Sequence, residues 1–305
     1  MHIDRTHTHT TWDKDIPPIT EIAPGDEVTI EVANASGGQL DQSSTVTDVM
    51  ALDFSRVNPV TGPIAITGCA PGDAVVISIL DIQVDDWGWT ANIPGFGLLS
   101  DQFPQAHLRL STIRGSRVEI LPGIELPVSP MIGTIGLAPS QPGPHSMVPP
   151  HNHGGNMDIR HVAIGSTLLL PAAVAGGLLS VGDTHAAMGD GEVCGTGVES
   201  SSLVRLRIDL DKGRNLRAPQ LISSGATYRN SPCLVTTGIG PDLHQAAADA
   251  TAYLIDEVVR RTGLEPIDAY LLASIAADLQ ISEIVDMPNV VVSMHLPLTV
   301  IETRA

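Results

Sequence analysis

The sequence predicts a mainly β protein whose last third adds a helical segment packed on strands. Three observations carry this. Glycine and proline supply 29 and 23 of the 305 residues with no collagen-like period, which favours short strands joined by turns over a helix bundle. Apolar residues alternate with period two in runs such as the one ending at Val84, and the spacing turns helical only after Asp242. Aromatic residues make up 3% of the chain, so its core must be built from Val, Ile, Leu and Ala. The length allows one large domain or two intimate ones. We place the division at a sandwich-like portion, 1–140, and a motif-bearing β and α+β portion, 141–305.

Each element has a local reason. The T-H-T-H-T run puts His7 and His9 on one face of an N-terminal strand, read as an exposed edge. The turn Pro24-Gly25-Asp26 leads into a strand over Val28–Val32, which feeds the Gly-rich loop Asn34–Gln39. The pattern A-P-G-D-x-V-x-I recurs at Ala23–Ile30 and Ala70–Ile77, read as one turn chemistry used twice, and Ala74–Val84 is a strand. Residues 85–110 concentrate Trp87, Trp89, Phe96 and Phe103, which suits either a lid or pocket wall or a satellite cluster closing one end of a sandwich. Met131–Pro139 is a Gly-interrupted strand, followed by the Pro-rich loop Ser140–His153.

No charged residue occurs from Val162 to Gly182, a length that resembles a membrane helix. Pro171 and Gly176-Gly177 argue instead for two buried strands, Thr167–Leu170 and Gly177–Val181. Leu203–Leu210 reads as a half-exposed strand. Asp242–Thr262 has helical spacing closed by Gly263, Pro266–Leu279 is a second helix, and Val290–Ser293 is a late strand.

Composition narrows the function. A net charge of −18 repels phosphate backbones and anionic lipid, so neither nucleic acid nor a membrane is an expected partner. The three cysteines are far apart and lack CxxC spacing, giving no disulfide framework. With no apolar leader at the N-terminus, the expected compartment is the cytoplasm.

Chemistry concentrates in Val181–Glu199, which holds Asp183, His185, Asp190, Glu192, Cys194 and Glu199 among five glycines. Asp183 and His185 are two apart, so a strand points both to one face; Asp190 and Glu192 repeat the spacing beside Gly189 and Gly191. Carboxylates and an imidazole converging from extended chain can hold a divalent cation and a water. The competing reading is an acidic Gly-rich turn. Upstream, His151 and His153, then Asn156 and Asp158, also fall two apart.

These motifs together resemble the acetamidase/formamidase family. The resemblance rests on M-x-G-x-x-G-x-A-P at Met131–Pro139, G-G-N-M-D-x-R at Gly154–Arg160, and G-D-x-H-A-x-x-G-D-G-E-V-x-G-T-x-x-E at Gly182–Glu199. T-G-P-I at Thr61 and the C-terminal A-x-L-x-x-S-I-A-A-D-L segment agree with it. It implies hydrolysis of short amides to carboxylate and ammonia. It also implies a β-rich fold with a sandwich or jelly-roll portion and a smaller α+β portion, and a homodimer or higher homo-oligomer. The chain departs from the family pattern in having no acidic residue at Asn34 and no basic residue around His295–Leu298.

The residues restrict mechanism independently. Two common amidase designs, Ser-Ser-Lys and Glu-Lys-Cys, need a lysine beside the nucleophile, and this chain has only Lys14 and Lys212, both in polar runs. There is no G-x-S-x-G elbow. Metal-activated water remains, with zinc suiting a His-plus-carboxylate set and calcium or magnesium an oxygen-dominated one. We expect Asp183, His185 and Asp158 as metal ligands with Glu199 as a further one, and Glu192 as general base supported by Asp190. Asn156, Gly155 and Asn34 are expected at the substrate, the first two as oxyanion donors. Two other classes compete: a non-catalytic metal-stabilised binding protein, and a metal-independent cysteine amidase using Cys194, whose thiolate Glu192 and Glu199 disfavour.

Overall fold

The computed structural model describes residues 1–225 and 231–302. Its architecture is two large, open β-sheets and a helical layer. One sheet has nine strands. The short edge strand His2–Ile3, then Glu27–Val32, Ser202–Asp211, Ala74–Val84, Thr167–Pro171, Gln220–Ile222, Cys233–Gly240, Val290–Pro297 and the opposite edge strand Asp278–Glu283 follow one another across it. The other has eleven strands and is centred on Leu179–His185. That strand pairs antiparallel with Met131–Gly136 on one side and with Val60–Ile66 and Glu199–Ser200 on the other. Both sheets draw strands from either side of residue 140.

The largest hydrophobic cluster joins the sheets, as a sandwich requires. Val28, Ile30, Ile77 and Leu206 come from the nine-stranded sheet, and Ile64, Ile132, Ile135 and Val181 from the other. Among the described residues this cluster holds no Phe, Trp or Tyr, as the scarcity of aromatics predicts. The uncharged stretch resolves as expected into two strands, Thr167–Pro171 and Leu179–His185, which lie in different sheets. Among the described residues no helix is long and apolar enough to cross a membrane.

The helix Leu243–Thr262 begins at Asp242, whose side chain accepts from Gln245 N–H, and stops at Gly263 in the left-handed region, φ 70°. It buries Ala246, Ala250, Leu254 and Val258. Those residues pack on Leu234, Met294, Leu296, Val290 and Val292 of the strands beneath. The second helix is shorter than its apolar run suggests. It spans Pro266–Ala276, and Leu279 belongs to the edge strand Asp278–Glu283. The late strand is longer than expected, Val290–Pro297. Pairing against Val290–Pro297 supplies hydrogen bonds that outweigh the helical spacing of the last residues in the run.

Candidate active site

The site is built where Leu179–His185 crosses the middle of its sheet. Asp183 and His185 leave one face of that strand, as alternation dictates, and both are buried. The neighbouring strand places Glu199 opposite His185. Gly154–Asn156 runs on to Asp158, and the Gly-rich bend after Met188 folds Glu192 back over the cluster, so the two glycine-flanked motifs meet.

Three carboxylates converge on His185 Nε2: Glu199 Oε1 at 3.1 Å, Asp183 Oδ1 at 3.3 Å and Glu192 Oε1 at 3.7 Å. On the other side of the ring, Nδ1 lies 3.0 Å from Met131 Sδ and 3.8 Å from Asp158 Oδ1. Asp158, His185 and Glu192 form one group able to hold an ion, and Asp183, His185 and Glu199 a second that shares the same imidazole.

The backbone is held in an uncommon conformation at this point. Asp158, Asp183 and Glu192 all have positive φ, at 45°, 45° and 42°. An L side chain in that region costs on the order of 1–3 kcal/mol, and such residues cluster where function over-determines geometry. Gly133 makes room for them. A Cβ there would lie 2.8 Å from Asp183 Oδ2 and 3.1 Å from His185 Cε1, and closer still to Asp158 Oδ1. This explains the glycine of the M-x-G motif. We expect Gly133→Ala to displace at least one of these carboxylates and lower activity at least ~10-fold, because site geometry tolerates shifts of only about 0.5 Å. Turnover and metal content of the purified variant measure this.

Sequence reasoning missed two members of the cluster, Glu283 and Asp286. Both are buried, and they arrive from the end of the edge strand, almost ninety residues after Glu199. Asp286 Oδ2 accepts from Asn156 Nδ2 at 2.6 Å. Glu283 Oε1 accepts from the N–H groups of Val285 and Asp286. The available signal was the pair of acids in Ser282-Glu-Ile-Val-Asp286, interleaved with apolar residues.

So many buried carboxylates cannot all stay ionised without a counter-charge. Burial first, and then Asp183, push Asp158 up to about 7. Burial and the Asp183 charge, opposed by His185, raise Glu199 to about 8. Burial and Asp158 raise Glu283 to about 8 and hold Asp286 well above the carboxylate range. Glu192 is likewise raised by burial and by Asp158. Burial would lower His185, but Glu199 and Asp183 outweigh it and hold the imidazole well above its usual value. Burial also opposes ionisation of Asp183, yet the nearby His185 keeps its pKa below the usual value. Both oxygens of Asp158, Oδ1 of Asp183 and Oε2 of Glu199 are buried without a hydrogen-bond partner. Unpaired buried oxygens converging beside one imidazole fit a divalent cation.

A cavity of about 50 Å³ reaches the cluster. Asp158, Asp183, Glu192, Glu199 and Asp286 line its floor, and Leu52, Phe54, Trp89, Ile93 and Phe96 its walls. The aromatic segment is therefore both pocket wall and satellite core, since Trp89 and Ile93 also pack with Leu40 and Val49.

Other expected site residues lie elsewhere. Asp190 does not join the carboxylates; it is partly exposed and faces Arg160 at 3.8 Å. Two-residue alternation fails there because Gly189–Gly191 is a bend, not a strand. Asn156 lines the cavity, but its amide N–H groups already go to Asp286 and to Val148 O at 3.1 Å. Gly155 pairs with Ile135 in the sheet beside Trp12, away from the cavity. The backbone donors expected for an oxyanion are thus committed to the fold. Asn34 is buried one layer behind the wall, where its Oδ1 accepts from Ser36 N–H and from Trp89 Nε1 at 3.2 Å. Cys194 does not line the cavity; it faces a separate depression beside Asn92 and Phe103. Lys14 pairs with Asp15 and Lys212 with Asp73, so neither reaches the site.

The fold and site together define a mainly β protein of two open sheets with a buried carboxylate–imidazole cluster under a small cavity. Known proteins narrow the class. A sequence model of the Acetamidase/Formamidase family matches residues 1–147 and 144–303, and the chain belongs to that family. A formamidase from Methylophilus methylotrophus is 27% identical over 96% of this chain and 89% of its own length. An acetamidase from Mycolicibacterium smegmatis is 27% identical over 67% of this chain and 66% of its own. The crystal structure of an acetamidase from Bacillus halodurans superposes with a TM-score of 0.92, at 34% identity and covering 100% of both chains.

Proposed function

We propose that this chain hydrolyses a small linear amide to a carboxylate and ammonia, with a divalent metal ion held by Asp183, His185 and Glu199 and by Asp158. Amide hydrolysis follows from family membership and its formamidase and acetamidase relatives. One observation carries the metal reading: buried carboxylate oxygens without partners surround a single imidazole at the foot of a cavity. Zinc suits the imidazole and carboxylates, and the surplus of oxygens also admits calcium or magnesium. When bound, such an ion supplies Lewis acidity and a water of lowered pKa.

The chain's own residues do the rest. The walls of Phe54, Ile93 and Phe96 face the acyl group of a small amide. They also exclude bulk water, which strengthens every charge interaction on the floor. Glu192 accepts a proton from the attacking water and returns it to the leaving nitrogen, so that ammonia departs neutral. In the metal-free chain burial and Asp158 hold its pKa above the usual carboxylate value. Asn156 acts as a positioning residue that fixes Asp286 beside the ligands.

A purely structural metal site is normally closed by protein ligands, whereas here the cavity reaches five of the buried carboxylates. That opening favours the enzyme over a metal-stabilised binding protein. The cysteine reading is disfavoured by the position of Cys194 outside the cavity. Ammonia release from a panel of short amides, alongside elemental analysis of the same preparation, tests the proposal. Turnover without any stoichiometric metal would end the metal reading. We expect Cys194→Ser to keep turnover within about twofold of the parent chain, since a residue away from the reacting atoms contributes little to the barrier. Loss of activity in that variant, together with resistance to chelators, would restore the thiol as nucleophile.

A further inference from the structure

The cavity is short of free side-chain donors. Its floor of carboxylates presents acceptors when ionised, yet amide hydrolysis puts negative charge on the substrate's carbonyl oxygen. Five residues that line the cavity carry a side-chain N–H or O–H: Ser36, Asn58, Trp89, Asn156 and Thr196. Ser36 Oγ and Trp89 Nε1 both donate to Asn34 Oδ1, at 2.6 and 3.2 Å. Asn156 Nδ2 donates to Val148 O and to Asp286, and Thr196 Oγ1 donates to Ala91 O at 3.0 Å. Among the described residues the Asn58 carboxamide has no hydrogen-bond partner.

Asn58 also shares the backbone signature of the site. Six non-glycine residues of the described chain have positive φ, and four of them line this cavity: Asp158, Asp183, Glu192 and Asn58, the last at φ 47°. Asn58 is the one of the six followed by a proline, Pro59. A proline pushes the residue before it to extended backbone with negative φ, so Asn58 is held against two steric preferences at once. The fold enforces this. Asn58 N–H donates to Ala35 O at 2.8 Å, and a Cβ on Gly37 would overlap the Arg56 carbonyl oxygen, so the loop 34–39 lies directly on the segment 56–59. Strained residues that their surroundings over-determine cluster at functional sites. The loop expected to touch substrate through Asn34 instead braces the chain at Asn58.

We propose that Asn58 is a catalytic residue that donates a side-chain N–H to the substrate's carbonyl oxygen and stabilises the oxyanion formed there. This rests on the chain being an amide hydrolase. As water attacks the carbonyl carbon, its proton passes to Glu192 and the C=O π pair moves onto the oxygen. That developing charge has the same sign as the carboxylates of the floor, and a neutral donor on the wall is its complement. A donor fixed by its own backbone reorganises little as the charge develops, which is what makes it effective. Asparagine suits both demands, since it tolerates left-handed backbone better than most side chains and supplies two N–H groups.

Two variants test this. Asn58→Gly removes the carboxamide and accepts the same φ, and Asn58→Asp keeps shape and backbone but, ionised, replaces the donor by an acceptor. Each should lower kcat for acetamide by ~10²–10³-fold, the usual effect of removing one oxyanion donor, with KM changed by much less. Metal content and Tm should match the parent chain, which a merely structural role for Asn58 would not leave intact. Calorimetry with methylphosphonate, a tetrahedral anion, gives a readout without turnover: Asn58→Gly should bind it at least ~10-fold more weakly, as expected when a hydrogen bond to a charged group is lost. If the parent chain turns over acetamide and both folded variants keep kcat within about threefold of it, the proposal is overturned while the amide-hydrolase reading stands. If the parent chain releases ammonia from neither acetamide nor formamide, that reading fails by itself. Methylphosphonate binding that still depends on Asn58 then supports the donor role, and binding that is absent or unchanged in Asn58→Gly overturns it.

Discussion

Glu192→Gln is expected to lower amide turnover by about 10²–10⁴-fold, the usual contribution of a positioned general base. The argument is geometric first. Glu192 lines the cavity floor, and its Oε1 lies 3.7 Å from His185 Nε2, among groups suited to hold an ion. It therefore faces the space where substrate and water must meet. Its left-handed backbone, φ 42°, fixes that direction, and glutamine tolerates the same backbone as well as glutamate does. The substitution preserves volume and hydrogen-bonding capacity and removes only the ability to take a proton. Metal content and Tm should stay near those of the parent chain. If metal is lost along with activity, Glu192 is a ligand. If turnover is unimpaired, the assignment of Glu192 as base fails.

How far this site was legible in the sequence depends on how local each part is. Asp183 and His185 were legible because strand alternation is a property of two neighbouring residues and needs no tertiary information. Glu192 and Glu199 were legible only as members of an acidic, glycine-rich window; the bend that brings Glu192 back is not written in any spacing. Asp190 shows the limit. It has the same two-residue spacing from Glu192 as Asp183 has from His185, yet the bend at Gly189–Gly191 sends it outward to Arg160. Glu283 and Asp286 lay beyond reach for a different reason. Their approach to Asp158 depends on the register of Asp278–Glu283 against Val290–Pro297, set by pairing across the nine-stranded sheet. The same pairing ended the second helix at Ala276, where local spacing continued it to Leu279. The sandwich and its aliphatic core were legible from composition, but the order of strands in each sheet was not.

His185→Ala should abolish metal binding and reduce turnover to background. His185 is the one basic group among the buried carboxylates of the cluster and belongs to both groups able to hold an ion. Removing it deletes a ligand and leaves Asp183 and Glu199 facing each other without a cationic neighbour. Breaking a buried ion pair in this way typically costs ~3–5 kcal/mol. The pH dependence of the loss has a definite sign. In the metal-free parent chain Asp158 is raised to about 7 and Glu199 and Glu283 to about 8, all above their unfolded range near 4. Between those limits the folded chain binds more protons than the unfolded one, so stability must fall as pH rises from about 4 to about 8. The raised imidazole of His185 adds a loss in the same direction at higher pH, while Asp183, lowered by that imidazole, acts oppositely and only at acid pH. Removing His185 takes away the charge that holds the carboxyl pKa values down, so the variant should show a steeper fall in Tm over the same interval. At ~2 °C per kcal/mol the difference at pH 8 should reach several degrees. Adding a divalent ion should restore Tm to the chelated parent chain and not to the variant. Tm measured against pH, with and without metal, decides the matter: a His185→Ala protein with full metal occupancy and an unchanged pH profile would remove the imidazole from the site.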